Sequence, residues 1–169
     1  MKKLLSVILF SMIAVSSMGQ TLQEYCQYIE KWEGSRHFTY KDSLGNRTIG
    51  VGHKLPKDSK RLYMGSKEIK ETLEQDTLQA LQGAKRCVKA FDTLPYDAKL
   101  IAVDCVFNLG ENGFKKFRKT ISALNTHDFS IVADELKDSK WYLQTGKRSK
   151  NHVATFSKLA LSVKAYHNL

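Results

Sequence analysis

Three polar side chains follow one another at spacings suited to acid–base work. Glu33 comes directly after Trp32, Asp42 follows after a gap of eight residues, and Thr48 after a further five. A carboxyl beside a large aromatic ring loses hydration and tends to keep its proton, whereas a carboxyl in a hydrated turn stays ionised. Two carboxyls set apart in this way suit cleavage of a glycosidic bond. One protonates the leaving oxygen and the other acts on the opposite face of the sugar. A hydroxyl at Thr48 can hold a water against Asp42. Taken alone, the same three residues also fit plain capping and turn roles.

The elements that must position them are legible in outline. Thr21 to Glu24 has the form of a capping box, in which a hydroxyl and a carboxylate each satisfy a free backbone N–H. Leu22, Tyr25, Cys26, Ile29 and Trp32 then repeat at helical spacing, so a first helix runs over 22–32 and ends near Glu33-Gly34. Residues 37–41 and 47–51 read as two short strands. Asp42 to Asn46 carries turn chemistry between them, so the segment is a β-hairpin. Residues 54–66 are basic and loop-like.

From Lys67 onward the pattern is helical. Ile69, Leu73, Ala80, Ala84, Val88 and Phe91 form one stripe. Pro95 opens a helix at a place where its missing N–H does no harm. Leu100 to Phe107 is apolar nearly all round, the mark of a buried helix. Gly110 and Gly113 break the chain. Phe114, Phe117, Ile121 and Leu124 make a third stripe, and Ile131, Val132 and Leu136 a short helix leading to Trp141-Tyr142. Val153, Phe156, Ala160, Val163 and Tyr166 define a C-terminal helix. The fold class is α+β: a small lobe up to about residue 66, then a larger all-helical lobe over 67–169.

The first residues are set apart from this domain. Lys2 and Lys3, an apolar run from Leu4 to Val15 and the small residues Ser17 and Gly19 form a secretory signal with a cut after Gly19. The other reading is an uncleaved anchor, although the run is short of the ~20 residues that span a bilayer. Export makes the protein secreted or periplasmic and exposes Cys26, Cys87 and Cys105 to an oxidising compartment. Cys26 and Cys105 sit at helical spacing among apolar residues, as small buried hydrophobes do. An odd count leaves at least one thiol unpaired. No ligand spacing suggests zinc, and neither a metal nor a cofactor is expected.

The 169-residue chain has 27 Lys and Arg against 17 Asp and Glu, a net charge of +10. Removal of residues 1–19 takes two lysines and no acid, leaving +8 on 150 residues. At 42% hydrophobic and 26% charged, the chain is neither disordered nor of low complexity. The positive charge points to an anionic partner.

Glu33-Gly34, Tyr40-Lys41-Asp42, Gly45 and Thr48-Ile49-Gly50-Val51-Gly52-His53 together resemble the active-site stretch of the phage-type lysozymes (endolysins). Downstream, Phe107 to Gly113 with Phe117, and Lys140 to Thr145 with Arg148, resemble the cleft-floor and helical-lobe motifs of that family. The likeness runs from about residue 22 to the C-terminus. It implies a two-lobed fold with a cleft between the lobes. The activity it implies is hydrolysis of the β-1,4 bond between N-acetylmuramic acid and N-acetylglucosamine in peptidoglycan.

Carried over residue by residue, the resemblance makes Glu33 the general acid. Asp42, with Thr48, positions and activates the attacking water. Arg148 pairs with Glu33 across the cleft and opposes its protonation, while Phe107 and Thr120 contact sugar. The family also implies an ion pair between His53 and Asp76, structural rather than catalytic. Two departures fall near the sugar sites: Lys54 stands where an apolar residue is expected, and Glu135 replaces an amide. The segment after His53 is also shorter than in T-even lysozyme.

Other classes fit less well. The basic clusters at 54–70, 115–119 and 147–150 carry no nucleic-acid motif and no aromatic platform for bases. They suit a solvated face that draws the protein to an anionic wall. The partners expected are therefore glycan strands, with no nucleic acid, no stable membrane insertion after signal cleavage, and a monomeric protein. Two alternatives are a non-catalytic peptidoglycan-binding relative and a lytic transglycosylase. Retention of Glu33, Asp42 and Thr48 together disfavours both.

Overall fold

The computed structural model describes residues 21–42 and 45–167. The export segment expected over 1–19, and Ser43 and Leu44 of the hairpin turn, lie outside them.

Helix α1 (Leu22–Glu33) starts on the expected capping box: the Glu24 carboxylate accepts from the Thr21 N–H at 2.7 Å and the Thr21 side chain accepts from the Glu24 N–H. Its buried face is Tyr25, Cys26 and Ile29. Gly34, at φ 67°, turns the chain out of the helix directly after Glu33, a backbone state that a side chain rarely adopts. The carboxyl of Glu33 therefore sits on the last helical residue.

The hairpin forms as expected, with β1 (Arg36–Lys41) antiparallel to β2 (Arg47–Gly50) and Tyr40 opposite Thr48. Residues 55–65 are mostly loop, as expected, but Lys54 belongs to a strand and Tyr63 bridges to Phe38. A third strand, β3 (His53–Lys54), pairs with β2, placing Thr48 opposite Lys54 and Ile49 opposite His53. Farther on, the chain returns along β1: Thr39 donates to the Leu62 carbonyl and Met64 to the His37 carbonyl. The extension was invisible to periodicity because a two-residue strand has no alternation to display. It is made by tertiary hydrogen bonds.

Helix α2 (Ser66–Cys87) carries the first apolar stripe, but it ends before Val88. Val88 and Phe91 remain buried on the turn that follows, where a 3-10 turn (Phe91–Thr93) leads to Pro95. Helix α3 (Tyr96–Leu109) is the central element, buried continuously from Leu100 to Val106. Its outward-directed neighbours are all helices, so no polar face is needed.

The third stripe is divided between α4 (Glu111–Phe114) and α5 (Arg118–Asn125). On α6 (Phe129–Lys137), Val132 and Leu136 are buried but Ile131 faces outward. Helix α7 (Lys140–Thr145) buries Trp141. The last helix, α8 (Lys147–His167), buries Phe156 against Phe129 of α6, ring centroids 6.0 Å apart. Val163 of its expected apolar stripe lies exposed. The observed class is α+β, a small three-stranded sheet on a helical body. Cys26 and Cys105 are buried and Cys87 is half-buried, all three as free thiols. Among the described residues no helix is long and apolar enough to cross a membrane.

Candidate active site

Glu33 stands where α1, the β2–β3 turn and α8 converge. Its Oε1 accepts from Arg148 Nη1 at 2.6 Å, a contact spanning 115 positions of sequence. From the other side the β2–β3 turn brings Gly52 against it. Gly52 has φ +70°, and a Cβ there would lie 3.1 Å from Glu33 Oε2. Glycine is thus required twice, for the left-handed backbone and for the close approach. The Glu33 side chain keeps 19% of its surface exposed, enough to meet a substrate.

Arg148 is itself buried, and its remaining donors go inward. Nε and Nη2 form a bidentate pair with the carboxylate of Asp104, at 2.8 and 2.6 Å. Burial works against the charge of Arg148, but the Asp104 bonds and the negative charges of Asp104 and Glu33 outweigh it and push its titration up. Asp104 is wholly buried within the apolar run of α3. Burial pushes its carboxyl up, yet His152 and Arg148 outweigh that and hold it below the usual carboxylate range.

Behind Asp104, His152 Nε2 lies 3.1 Å from Oδ2, within ion-pair reach but without hydrogen-bond geometry. The His152 ring is fully buried between Trp141 at 5.5 Å and Tyr28 at 6.2 Å, both nearly parallel to it. Sequence reading passed over both Asp104 and His152. The available signals were a lone charge inside an otherwise apolar helical run, and a histidine one helical turn beyond Arg148.

Asp42 is held by its own turn. The Asn46 N–H donates to Oδ1 at 2.7 Å and the Asn46 amide to Oδ2 at 2.9 Å. Thr48 is buried, and its hydroxyl donates to the Asn46 carbonyl at 3.2 Å. Asn46 thus links Asp42 to Thr48, while Glu33 is held separately, by Arg148 and Gly52. Tyr40 lies between the carboxyls: burial raises its hydroxyl first, and the charges of both Glu33 and Asp42 raise it further.

A cleft of about 490 Å³ is lined by Gly52, which packs on Glu33, but Glu33, Asp42 and Thr48 are not themselves among its lining residues. Gly52, His53 and Lys54 line one side, and Phe107, Asn108 and Glu111 the other. Phe107 is thus a cleft residue, while Thr120 is buried on α5 outside the lining. Lys54 is among the lining residues and exposed. Glu135 pairs instead with Lys119 at 3.1 Å. Trp141 donates to Asn108 at 2.8 Å and fixes the cleft floor from below. The expected pair of His53 and Asp76 is present, Nδ1 to Oδ2 at 2.7 Å, and that hydrogen bond above all raises the histidine's titration.

This arrangement offers one carboxyl packed against the cleft-lining Gly52 and beside an arginine, and a second in a polar turn. The family model for phage lysozyme matches residues 30–154, which include Glu33, Asp42, Thr48, Asp104, Arg148 and His152. Among curated proteins, the chain is 26% identical over 164 residues to a probable T4-type lysozyme 2 of Dictyostelium discoideum, covering 82% of this chain and 95% of that one. It is 27% identical over 149 residues to a SAR-endolysin of Escherichia phage Mu, covering 88% of this chain and 84% of the relative. The matched region and the fold of helix, hairpin and helical body agree: the chain belongs to the phage lysozyme family.

Proposed function

We propose that the protein is an exported muramidase, hydrolysing the β-1,4 bond between N-acetylmuramic acid and N-acetylglucosamine in peptidoglycan. The observation that supports this most directly is the placement of Glu33, packed on Gly52 at the cleft wall and bonded to Arg148. In this reading Glu33 protonates the leaving glycosidic oxygen. Asp42, steadied by Asn46, orients and activates a water for attack at the anomeric carbon, with Thr48 as the third member. Phe107 offers an apolar face to a sugar ring in the cleft, and Thr120 supports the helix behind it. Residues 1–19 act as the export signal of a domain spanning 20–169, its lobes divided near residue 66. The positive charge attracts the enzyme to an anionic wall and needs no specific contact.

The test is digestion of purified peptidoglycan by the wild type and by Glu33→Gln. Loss of general-acid catalysis lowers the rate about 10²–10⁴-fold, with the circular dichroism spectrum unchanged. Equal clearing by the two proteins refutes the assignment. Mass spectrometry of the products separates hydrolysis, which leaves reducing muramic ends, from transglycosylation, which leaves anhydro ends.

A further inference from the structure

The catalytic reading uses Arg148 only as a partner of Glu33, yet the arginine gives that carboxyl a single donor and gives Asp104 two. A buried guanidinium is always charged, so a lone Arg148 would act on Glu33 as a full cation at 2.6 Å. Asp104 alters this. It lies wholly buried, 2.6 Å from Nη2, and makes of Arg148 a neutral pair as seen from the cleft. An acid beside a neutral donor keeps its proton to higher pH than an acid beside a bare cation.

We propose that Asp104 is a positioning residue for Glu33: it orients Arg148 and cancels the charge that would otherwise draw the proton from the catalytic acid. The inference rests on Glu33 being that acid. It assigns a function to an ionised group placed where an apolar residue would pack at least as well, since a buried ion pair is weak support for stability.

The groups around the network are few. Tyr28 faces it from α1, Tyr40 from β1, Asp42 from the hairpin turn, Asp104 and Cys105 from α3, and Arg148 and His152 from α8, with the His53–Asp76 pair beyond Gly52. Burial raises Tyr28, Tyr40 and Cys105, so these three remain neutral where the enzyme works. Besides Arg148, His152 lies within ion-pair reach of Asp104, at 3.1 Å. The test therefore includes a variant without it.

The experiment compares kcat/KM on peptidoglycan as a function of pH for wild type, Glu33→Gln, Asp104→Asn, Asp104→Glu and the double variant Asp104→Asn with His152→Val. The double variant removes the histidine that the single change leaves facing an amide. It shows whether the limb still moves when the histidine beside residue 104 is gone. The alkaline limb, where the acid loses its proton, should move down by about one pH unit in Asp104→Asn and in the double variant. Asp104→Glu, which keeps the charge, should restore it.

An unshifted limb in either folded asparagine variant overturns the proposal. So does failure of both to fold, which assigns Asp104 to folding alone. Activity in Glu33→Gln equal to wild type brings down the catalytic reading instead. An inactive Glu33→Gln together with an unmoved limb overturns only this inference.

Discussion

The two carboxyls at the candidate site are held by opposite means. Asp42 takes both of its described side-chain bonds from Asn46, four residues away, within one exposed turn. Glu33 takes its bond from Arg148, 115 positions away, and that arginine is fixed in turn by Asp104 on a third element. The first arrangement can form wherever the hairpin forms. The second exists only when α1, α3 and α8 are packed together. One consequence is that the setting of Asp42 depends on its local turn, whereas that of Glu33 shares the stability of the core.

This contrast is most sharply tested by Arg148→Met. It leaves Asp104 buried without its counter-charge, and should cost roughly 3–5 kcal/mol in urea unfolding. Replacing Asp104 with Leu at the same time should recover most of that loss. If the single variant unfolds like wild type, the acid side is not coupled to the core and the comparison fails.

Gly52→Ala comes next. A side chain at φ +70° costs roughly 1–2 kcal/mol. The added methyl also meets Glu33 Oε2, so kcat should fall beyond anything the stability loss explains. Wild-type kcat with the expected loss of stability would show that the Gly52 contact does not hold the acid in place.

Asn46→Ala probes the local side. It removes the side-chain amide bond to Asp42 Oδ2 but keeps the backbone N–H bond to Oδ1, and should lower kcat while costing about 1 kcal/mol or less, because the turn is exposed. A loss of stability as large as that of Arg148→Met would erase the distinction between the two carboxyls.

The smallest effect belongs to the His53–Asp76 pair. His53 titrates above its ordinary 6.5 in the folded protein, chiefly through the Asp76 hydrogen bond. Its contribution is therefore complete below about pH 6.5 and is lost as pH rises through the folded value. The pair is partly exposed, so His53→Asn should destabilise by at most about 1 kcal/mol at pH 5, with the difference fading at alkaline pH. Identical profiles for parent and variant would remove the pair as a stabilising contact.

Local chemistry made much of the architecture readable in advance. The capping box at Thr21 and the turn at Asp42 satisfy backbone groups within a few residues, so their signals are short patterns in the chain. The helical stripes follow from the 3.6-residue period and needed only amphipathicity. The first stripe ran past its helix end at Val88 and Phe91, which are buried all the same, and at Ile131 and Val163 tertiary neighbours rather than periodicity decided which side chain was covered. The same holds for residues 53–64, whose pairing depends on where the chain returns to β1.

The sequence therefore carried which residues could do the chemistry: an acid at a helix end, an acid in a turn, and an arginine far downstream. It could not carry the setting of the acid. A buried charge is tolerated only beside a counter-charge, and which group supplies it is a matter of distance in space. Packing α3 against α1 and α8 placed Asp104 behind Arg148 and His152 behind Asp104, and that choice belongs to the tertiary structure.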